Sequence, residues 1–217
     1  MKTRIFFLFL LCILNNFSSA QTDSLKGSQK LYFTQINFSI SAPLGLYASP
    51  GYGGALAGYG MELGQYRNLG VRDFFITYSL SYTNQPYELL SYGTGYYYNI
   101  SGTYNNIDLH LGLGFRTSNA GVAYYLKLGG GLSYSDIGGD ISTMGYDDAL
   151  NFGISAVVGV VLVKHLNIGL RYCNSNPTFK YWSYSVINSN QPHPQSFSDH
   201  NTHVTIAAIQ LIVGIDF

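Results

Sequence analysis

The stretch NNIDLHLGLGF, from Asn105 to Phe115, decides the fold class because its apolar and polar residues alternate. A period of two is the signature of a β-strand that presents different chemistry on its two faces. Asp108 and His110 share the polar face, whereas the apolar face carries Ile107, Leu109, Leu111, Leu113 and Phe115. The acid and the imidazole are either half of a catalytic or metal site, or the polar side of a strand whose other side meets an apolar environment.

The composition of the chain favours such an apolar environment. Charged residues make up 10% of the 217 residues, against about 25% in soluble globular proteins. The eleven basic and eleven acidic residues cancel, so there is no electrostatic case for a nucleic-acid partner. A chain with too little charge to coat a water-facing surface is expected to have another solvent around it.

The first twenty residues have the pattern of a secretory signal peptide. Lys2 and Arg4 precede the apolar run from Ile5 to Leu14, and Ser18-Ser19-Ala20 supplies small residues for cleavage before Gln21. The apolar run is too short for a transmembrane helix. We therefore expect a signal peptide over 1–20 and a single domain over 21–217. Cys173 would be the only cysteine of that domain, which excludes an intramolecular disulfide.

Seven further runs alternate in the same way, at about 32–41, 55–64, 74–82, 122–134, 151–162, 166–173 and 205–217. The connections between the eight runs are short and long in turn. RNLGVRD, RTSNAG and a Lys164-His165 corner are short, whereas the other linkers, including the stretch from Asn174 to about Asn201, are long and polar. Short turns at one end and long loops at the other are typical of an outer-membrane barrel, with the turns and both termini in the periplasm and the loops outside the cell.

The alternation alone does not say which face points inward, because a lipocalin-like soluble barrel also has eight strands. The polar face consists mainly of Gly, Ser, Asn and Thr, which suit a narrow lumen better than a water-facing surface. Aromatic residues of the apolar face would form two belts, one at each lipid–water interface. These belts comprise Tyr32, Phe74, Phe115, Tyr124 and Phe217 at the periplasmic side, and Tyr82, Tyr134 and Phe152 at the other.

In this pattern the chain resembles the small eight-stranded outer-membrane barrels of Gram-negative bacteria, the OmpA/OmpX-like class. The C-terminal LIVGIDF is similar to the last strand of that class, which ends in a terminal Phe. The resemblance implies an all-β, eight-stranded, antiparallel, up-and-down transmembrane β-barrel. It also implies that the barrel assembly machinery reads the strand ending at Phe217, and that outer-membrane lipid and lipopolysaccharide surround the barrel. No periplasmic peptidoglycan-binding domain is expected.

The polar residues of the opening stretch then become part of a lumen network. Buried charges are costly unless they are paired and hydrogen-bonded. We therefore expect Lys127 and Arg171 to form ion pairs with Glu62 and Asp108. The predicted network comprises Glu62, Asp108, His110, Lys127, Arg171 and Gln210. Because eight strands leave room only for side chains, we interpret the network as a structural plug. A path for a proton, an ion or a small ligand is the alternative.

The hypothesis that the protein is an enzyme depends on residues of the last loop. Some eight-stranded barrels similar to this one are lipid A deacylases with a His-x-Ser pair and a nearby acid. The counterparts here are His203, Thr205 and Asp199, but threonine stands where the nucleophilic serine would be. The same loop contains His193 and His200, although spacing of this kind is weakly specific for a metal. Gly129-Gly130-Gly131 lies inside a predicted strand and is no phosphate loop. We expect no metal site and no cofactor.

The long loops are the expected place for binding. Tyr96, Tyr97 and Tyr98 crowd one loop, and Tyr181 and Trp182 crowd another. Such residues suit recognition of a protein or a glycan, or they pack on each other in strands that extend past the membrane. The sequence therefore predicts a non-enzymatic envelope protein, accessory, structural or adhesive, with an envelope protein partner. A lipid-modifying enzyme is the alternative.

Overall fold

The computed structural model describes residues 32–49, 53–69, 73–93, 96–117, 122–139, 148–162, 165–186 and 195–217. Within these ranges the chain forms ten strands and one short 3-10 turn, Gly45–Ala48. The strands are β1 Tyr32–Pro43, β2 Gly58–Asn68, β3 Phe74–Gly93, β4 Tyr96–Arg116, β5 Val122–Gly139, β6 Ala149–Leu162, β7 Leu166–Ser175, β8 Thr178–Val186, β9 Gln195–His203 and β10 Ile206–Asp216. No helix in the described residues is long and apolar enough to cross a membrane.

Eight of the strands close into an antiparallel barrel in the order β1-β10-β7-β6-β5-β4-β3-β2. Closure is made by β1, which pairs on one side with β10, as in Phe38 with Val213, and on the other with β2, as in Phe38 with Met61. A closed barrel satisfies its backbone hydrogen bonds between strands and has no open edge, which is what a lipid environment demands. The predicted fold class is therefore confirmed.

The two faces of the barrel wall differ as the alternation predicts. In the opening stretch Leu109 and Leu111 are 37% and 58% exposed, whereas His110 between them is 7% exposed. The same contrast recurs on β10, where Leu211 and Val213 point outward and Gln210 and Ile212 are buried. Large apolar side chains that face outward around a closed barrel match the lipid-facing band of a membrane barrel.

Five of the eight predicted belt residues are exposed on the outer surface, namely Phe74, Phe115, Tyr124, Phe152 and Phe217. Tyr82 and Tyr134 are half-buried, and the side chain of Tyr32 lies outside the described residues. Tyr82 and Tyr134 do not lie at strand ends, because β3 continues to Gly93 and β5 to Gly139. Beyond Tyr82, β3 and β4 continue as a hairpin outside the lipid-facing band.

Three other segments differ from the sequence-based prediction. Ala55 does not belong to β2, since it is buried and makes an isolated bridge to Tyr87. β3 and β4 run on to Gly93 and Tyr96, so the residues predicted as their loop form an extended hairpin. The predicted loop after Asn174 contains the separate β8–β9 sheet. In the last two cases backbone pairing continues where composition indicates a loop, because residues rich in Tyr, Thr and Ser also suit strands.

Leu111→Arg tests the outward assignment of the apolar face. Leu111 is exposed in the part of β4 that pairs with β5 in the barrel wall, where an arginine would meet hydrocarbon. We expect the barrel to lose about 2–4 kcal/mol of unfolding free energy. The measurement is urea unfolding in lipid vesicles, with Leu111→Met as the matched apolar control. If both variants unfold at the same urea concentration, Leu111 does not face lipid.

Candidate functional site

A polar network fills the middle of the lumen and centres on Glu62 of β2. Lys127 Nζ lies 3.5 Å from Glu62 Oε1, and Arg171 makes an ion pair with Glu62 Oε2. Asn37 Nδ2 donates to Glu62 Oε1 at 2.8 Å, and Asn167 Nδ2 donates to Asn37 Oδ1 at 2.7 Å. Side chains of β1, β5 and β7 therefore converge on one carboxylate of β2 in a closed interior.

The network continues toward the end of the barrel that carries the short turns. Gln35 Oε1 accepts hydrogen bonds from Lys127 Nζ at 3.0 Å and from the Tyr66 hydroxyl at 2.5 Å. Gln35 Nε2 donates to Asp216 Oδ1 at 2.8 Å, and Arg116 Nη1 lies 2.7 Å from Asp216 Oδ2. A continuous chain of contacts thus links the central ion pairs to Arg116 at the rim.

Aromatic rings close the lumen at this end. The Phe33 ring stacks on Tyr66 with centroids 4.4 Å apart and meets Phe75 edge to face at 5.2 Å. The Arg116 guanidinium lies 5.0 Å from the centre of the Phe33 ring, within cation–π range. Phe33 is therefore an inward-facing aromatic residue that forms part of the closure.

Asp108 and His110 lie higher in the lumen, and their partners differ from those predicted. Asp108 Oδ1 accepts from Ser133 Oγ at 2.6 Å and Oδ2 from Ser81 Oγ at 3.4 Å. His110 Nδ1 lies 3.0 Å from Ser155 Oγ. Neither Lys127 nor Arg171 forms an ion pair with Asp108, because both pair with Glu62.

Gln210 separates this upper pair from the central ion pairs. Its Oε1 accepts from Arg171 Nη1 at 3.2 Å, and its Nε2 donates to Thr83 Oγ1 at 3.2 Å. Gln210 is 1% exposed. This bridge from β7 through β10 to β3 spans the lumen. Glu62, Lys127 and Arg171 lie on one side of it, and Asp108 and His110 lie on the other.

The opposite mouth of the barrel is covered by Tyr47, which projects from the 3-10 turn after β1. Its hydroxyl donates to Gln85 Oε1 at 2.9 Å, and its ring meets Tyr104 at 5.1 Å. Burial, with a smaller contribution from Tyr104, raises the pKa of Tyr47 well above its ordinary value, so the hydroxyl stays protonated. The apolar cluster around it comprises Ala55, Tyr87, Tyr104, Ile137, Ala149, Phe179 and Ile206.

The residues of the enzymatic alternative lie outside the lumen, at the junction of β9 and β10. His203 Nδ1 lies 2.9 Å from Thr178 Oγ1, and Thr205 is exposed two residues further on. Asp199 pairs with Trp182 in the β8–β9 sheet. Four residues of extended strand place the Cα atoms of Asp199 and His203 roughly 13 Å apart. Asp199 and His203 are thus far apart along the strand, and the hydroxyl that His203 contacts is that of Thr178.

The predicted loop residues are placed by their backbone alone. Tyr96, Tyr97 and Tyr98 belong to β4, where Tyr97 pairs with Tyr92, and Tyr181 and Trp182 belong to β8. His200 belongs to β9, and His193 lies outside the described residues. Among the residues that the structure describes, no group of three or more His, Cys, Asp or Glu is arranged to hold a metal ion.

Several network residues are absent from the sequence-based prediction, namely Gln35, Asn37, Tyr66, Arg116, Asn167 and Asp216. Gln35, Asn37, Asn167 and Asp216 alternate onto the polar face of their strands, so the same signal that selects Glu62 could have found them. Tyr66 and Arg116 lie where the apolar alternation ends, and the sequence indicates turns there.

Solved structures of other proteins share this architecture. No protein-family model matches the chain, and no curated protein matches it in sequence. Neisserial surface protein A has a similar structure, with a TM-score of 0.50, 12% identity and coverage of 88% of this chain and 98% of that one. The outer membrane protein OprG from Pseudomonas aeruginosa has a TM-score of 0.51, 11% identity and coverage of 86% and 95%.

The outer membrane enzyme PagL also matches, with a TM-score of 0.45, 13% identity and coverage of 83% of this chain and 98% of that one. At these identities the comparisons establish architecture, and they do not assign an activity. With its closed barrel and its apolar outer face, this chain has the fold of the small eight-stranded outer-membrane β-barrels.

Proposed function

We propose that this protein is a closed, non-enzymatic barrel of the outer membrane that acts through its extracellular hairpins, as an accessory, structural or adhesive component of the envelope. The observation that carries the proposal is the filling of the lumen at three levels. Phe33 and Tyr66 close one end, Glu62 and its cations fill the middle, and Tyr47 covers the other mouth. A barrel filled in this way has its outer surface and its ends left for interaction.

The hairpin of β3 and β4 supports a role in binding. β2 pairs with β3 only as far as Asn84, and β5 pairs with β4 only as far as Gly102. The two strands continue together from there to Gly93 and Tyr96. The segment Gly54 to Leu56 pairs with the edge of β3 from Pro86 to Glu88. Beyond Glu88 the hairpin stands past its neighbours in the barrel wall, where a partner can reach its faces and its backbone edges.

The orientation in the membrane follows from the lengths of the connections. The long hairpins β3–β4 and β8–β9 lie at the end opposite to Tyr32 and Phe217. In outer-membrane barrels the long loops are extracellular and the short turns periplasmic. We therefore assign the hairpins to the cell exterior and both termini to the periplasm, with lipid and lipopolysaccharide around the wall.

The C-terminal strand supports the expected interaction with the barrel assembly machinery. Phe217 is 59% exposed, and its N–H donates to Thr34 O at 2.8 Å. The terminal ring therefore lies on the outer surface while its backbone closes the barrel against β1. A partner that binds this strand before closure would find the Phe217 side chain accessible.

Two alternatives have weaker support. A lipid hydrolase needs a nucleophile, a base and an acid in mutual reach, and the Cα atoms of Asp199 and His203 are separated by about 13 Å of strand. A continuous path for ions needs an open lumen. Gln210 and Thr83 bridge it at 3.2 Å, and Arg171 crosses it to reach Glu62.

Replacing the β3–β4 hairpin tests the interaction role. Residues Leu89 to Ile100 would be exchanged for Asn-Gly, a two-residue turn that suits the antiparallel pair Glu88 and Ser101. We expect the barrel to fold and insert as before, because the hairpin lies beyond the pairing of β2 and β5, but to lose its partner. The measurement is gentle extraction from native outer membrane followed by mass spectrometry. Equal recovery of the same partners by both forms would contradict the assignment.

Glu62→Ala tests the plug. The substitution leaves Lys127 and Arg171 buried without their carboxylate, and breaking a buried ion pair in this way costs about 3–5 kcal/mol. We expect a decrease of that size in the unfolding free energy measured in urea. Glu88→Ala is the matched control, since Glu88 is exposed and surface substitutions usually stay within about 0.5 kcal/mol. Equal stability of the two variants would show that the network does not hold the barrel.

A further inference from the structure

A cluster of polar and aromatic side chains lies on the outside of the barrel wall, where the lipid-facing band ends. Its residues alternate with lumen residues such as Thr83, Asn106 and Ser133, which are buried, so their side chains point away from the lumen. This outer polar cluster consists of Tyr82 and Asn84 of β3, Asn105 of β4, Tyr134 and Asp136 of β5, and Asp148 just before β6. All six residues are half-buried.

Hydrogen bonds within the outer polar cluster hold its aromatic rings in place. The Tyr82 hydroxyl and Asn84 Nδ2 both donate to Asn105 Oδ1, at 2.9 and 2.8 Å. The Tyr134 hydroxyl donates to Asp148 Oδ2 at 2.5 Å. A ligand that meets these groups finds a surface that is already ordered, which lowers the entropy cost of binding.

The register of the strands arranges the cluster in two rows. Asn105 pairs with Asn84 on one side and with Asp136 on the other, and such cross-strand neighbours have Cβ atoms roughly 5 Å apart. The next outward row, toward the lipid-facing band, consists of Ile107 flanked by the two tyrosines. A polar row that spans three strands, about 10 Å wide, therefore lies against an aromatic and apolar row.

The hydrogen-bonding groups that remain free in the cluster are mainly acceptors. Asp136 receives no hydrogen bond from the residues that the structure describes, and Asn84 Oδ1 takes no part in the bond that its Nδ2 donates. The cluster has two carboxylates and no lysine or arginine, so it repels a phosphate group. A ligand that fits donates hydrogen bonds, as sugar hydroxyl and amide groups do, and has an apolar side for the tyrosine rings.

We propose that the outer polar cluster binds the sugar headgroup of lipopolysaccharide. The inference rests on the orientation proposed above, in which the long hairpins face the cell exterior. The cluster then lies in the outer leaflet, between the exposed Leu109 and Leu111 of β4 and the β3–β4 hairpin. At this level a lipopolysaccharide molecule changes from acyl chain to sugar. Its hydroxyl and amide groups donate to Asp136 and Asn84, while its apolar side packs on the two tyrosine rings.

The test measures unfolding in phosphatidylcholine vesicles that contain an increasing mole fraction of purified lipopolysaccharide, with EDTA present. We expect the urea concentration at the midpoint of unfolding to rise and to saturate, as for a ligand that binds the folded state alone. Phosphatidic acid is the control lipid, because it has the negative charge without the sugar, and it should give no saturable rise. EDTA removes divalent cations, which would otherwise bridge Asp136 and Asp148 to phosphate groups.

Two substitutions on the outer face test the residues of the cluster. Asp136→Ala removes a charged acceptor and should raise the half-saturating mole fraction of lipopolysaccharide about tenfold or more. Asn105→Ala releases the two side chains that it holds and should raise that mole fraction about fivefold. Asn174→Ala is the matched control and should bind as wild type does, since Asn174 bonds the Tyr172 hydroxyl on β7, outside the cluster.

The proposal would be overturned by the absence of a saturable rise in wild type, or by an equal rise with phosphatidic acid. Unchanged half-saturation in both cluster variants would also overturn it. The role of the hairpin is tested separately, because the form with Asn-Gly in place of Leu89 to Ile100 keeps all six cluster residues. That form should bind lipopolysaccharide as wild type does, whether or not it loses its protein partner.

Discussion

The interior of this barrel depends on Glu62, which pairs with both Lys127 and Arg171 where water is excluded. Each of these charges alone would make the closed barrel unfavourable, because an unpaired ion in a low-dielectric interior loses its hydration without compensation. Held together, they connect β2, β5 and β7 across the lumen, and Asn37 and Gln210 link β1 and β10 to them. The ion pairs therefore fix which strands lie opposite each other across the lumen.

The width of an eight-stranded barrel sets the second constraint. The interior holds side chains and little else, so the large inward residues need small ones beside them. Tyr125 shows this requirement, since a Cβ added at Gly159 or Gly169 would come within 2.5 Å of its hydroxyl oxygen. The abundance of glycine on the polar face follows from this need for space. Because the lumen is filled, the surfaces of the barrel are left for interaction. The hairpin of β3 and β4 is the longest element that extends past the barrel wall.

Much of this architecture is predictable from alternation. The period of two identifies the eight wall strands and places Glu62, Lys127 and Arg171 inside. The pairing of Asp108 is not predictable, because it depends on register around the wall. Glu62 pairs with Ser81, Ser81 with Asp108, and Asp108 with Ser133. The two carboxylates thus lie in one row two strands apart, and the nearer ion pairs form with Glu62.

The ends of the barrel are the other part that alternation does not reveal. Tyr47 lies in a segment rich in Gly and Pro, which indicates a loop and gives no sign that its ring covers the mouth. The β8–β9 sheet likewise arises where composition indicates a loop. Its strands pair with each other outside the barrel, so no inward and outward faces impose an alternation on them. Phe33 is apolar yet faces inward, because it stacks on Tyr66.

Ion conductance in a planar lipid bilayer tests the central claim most directly. A barrel closed by Phe33 and Tyr66, by the Glu62 ion pairs and by Tyr47 should insert without adding a measurable current across the accessible voltage range. Parallel detection of folded protein in the same membrane would show that insertion took place. Sustained single-channel steps from the wild-type protein would contradict a closed lumen, and with it the conclusion that the protein acts through its surfaces.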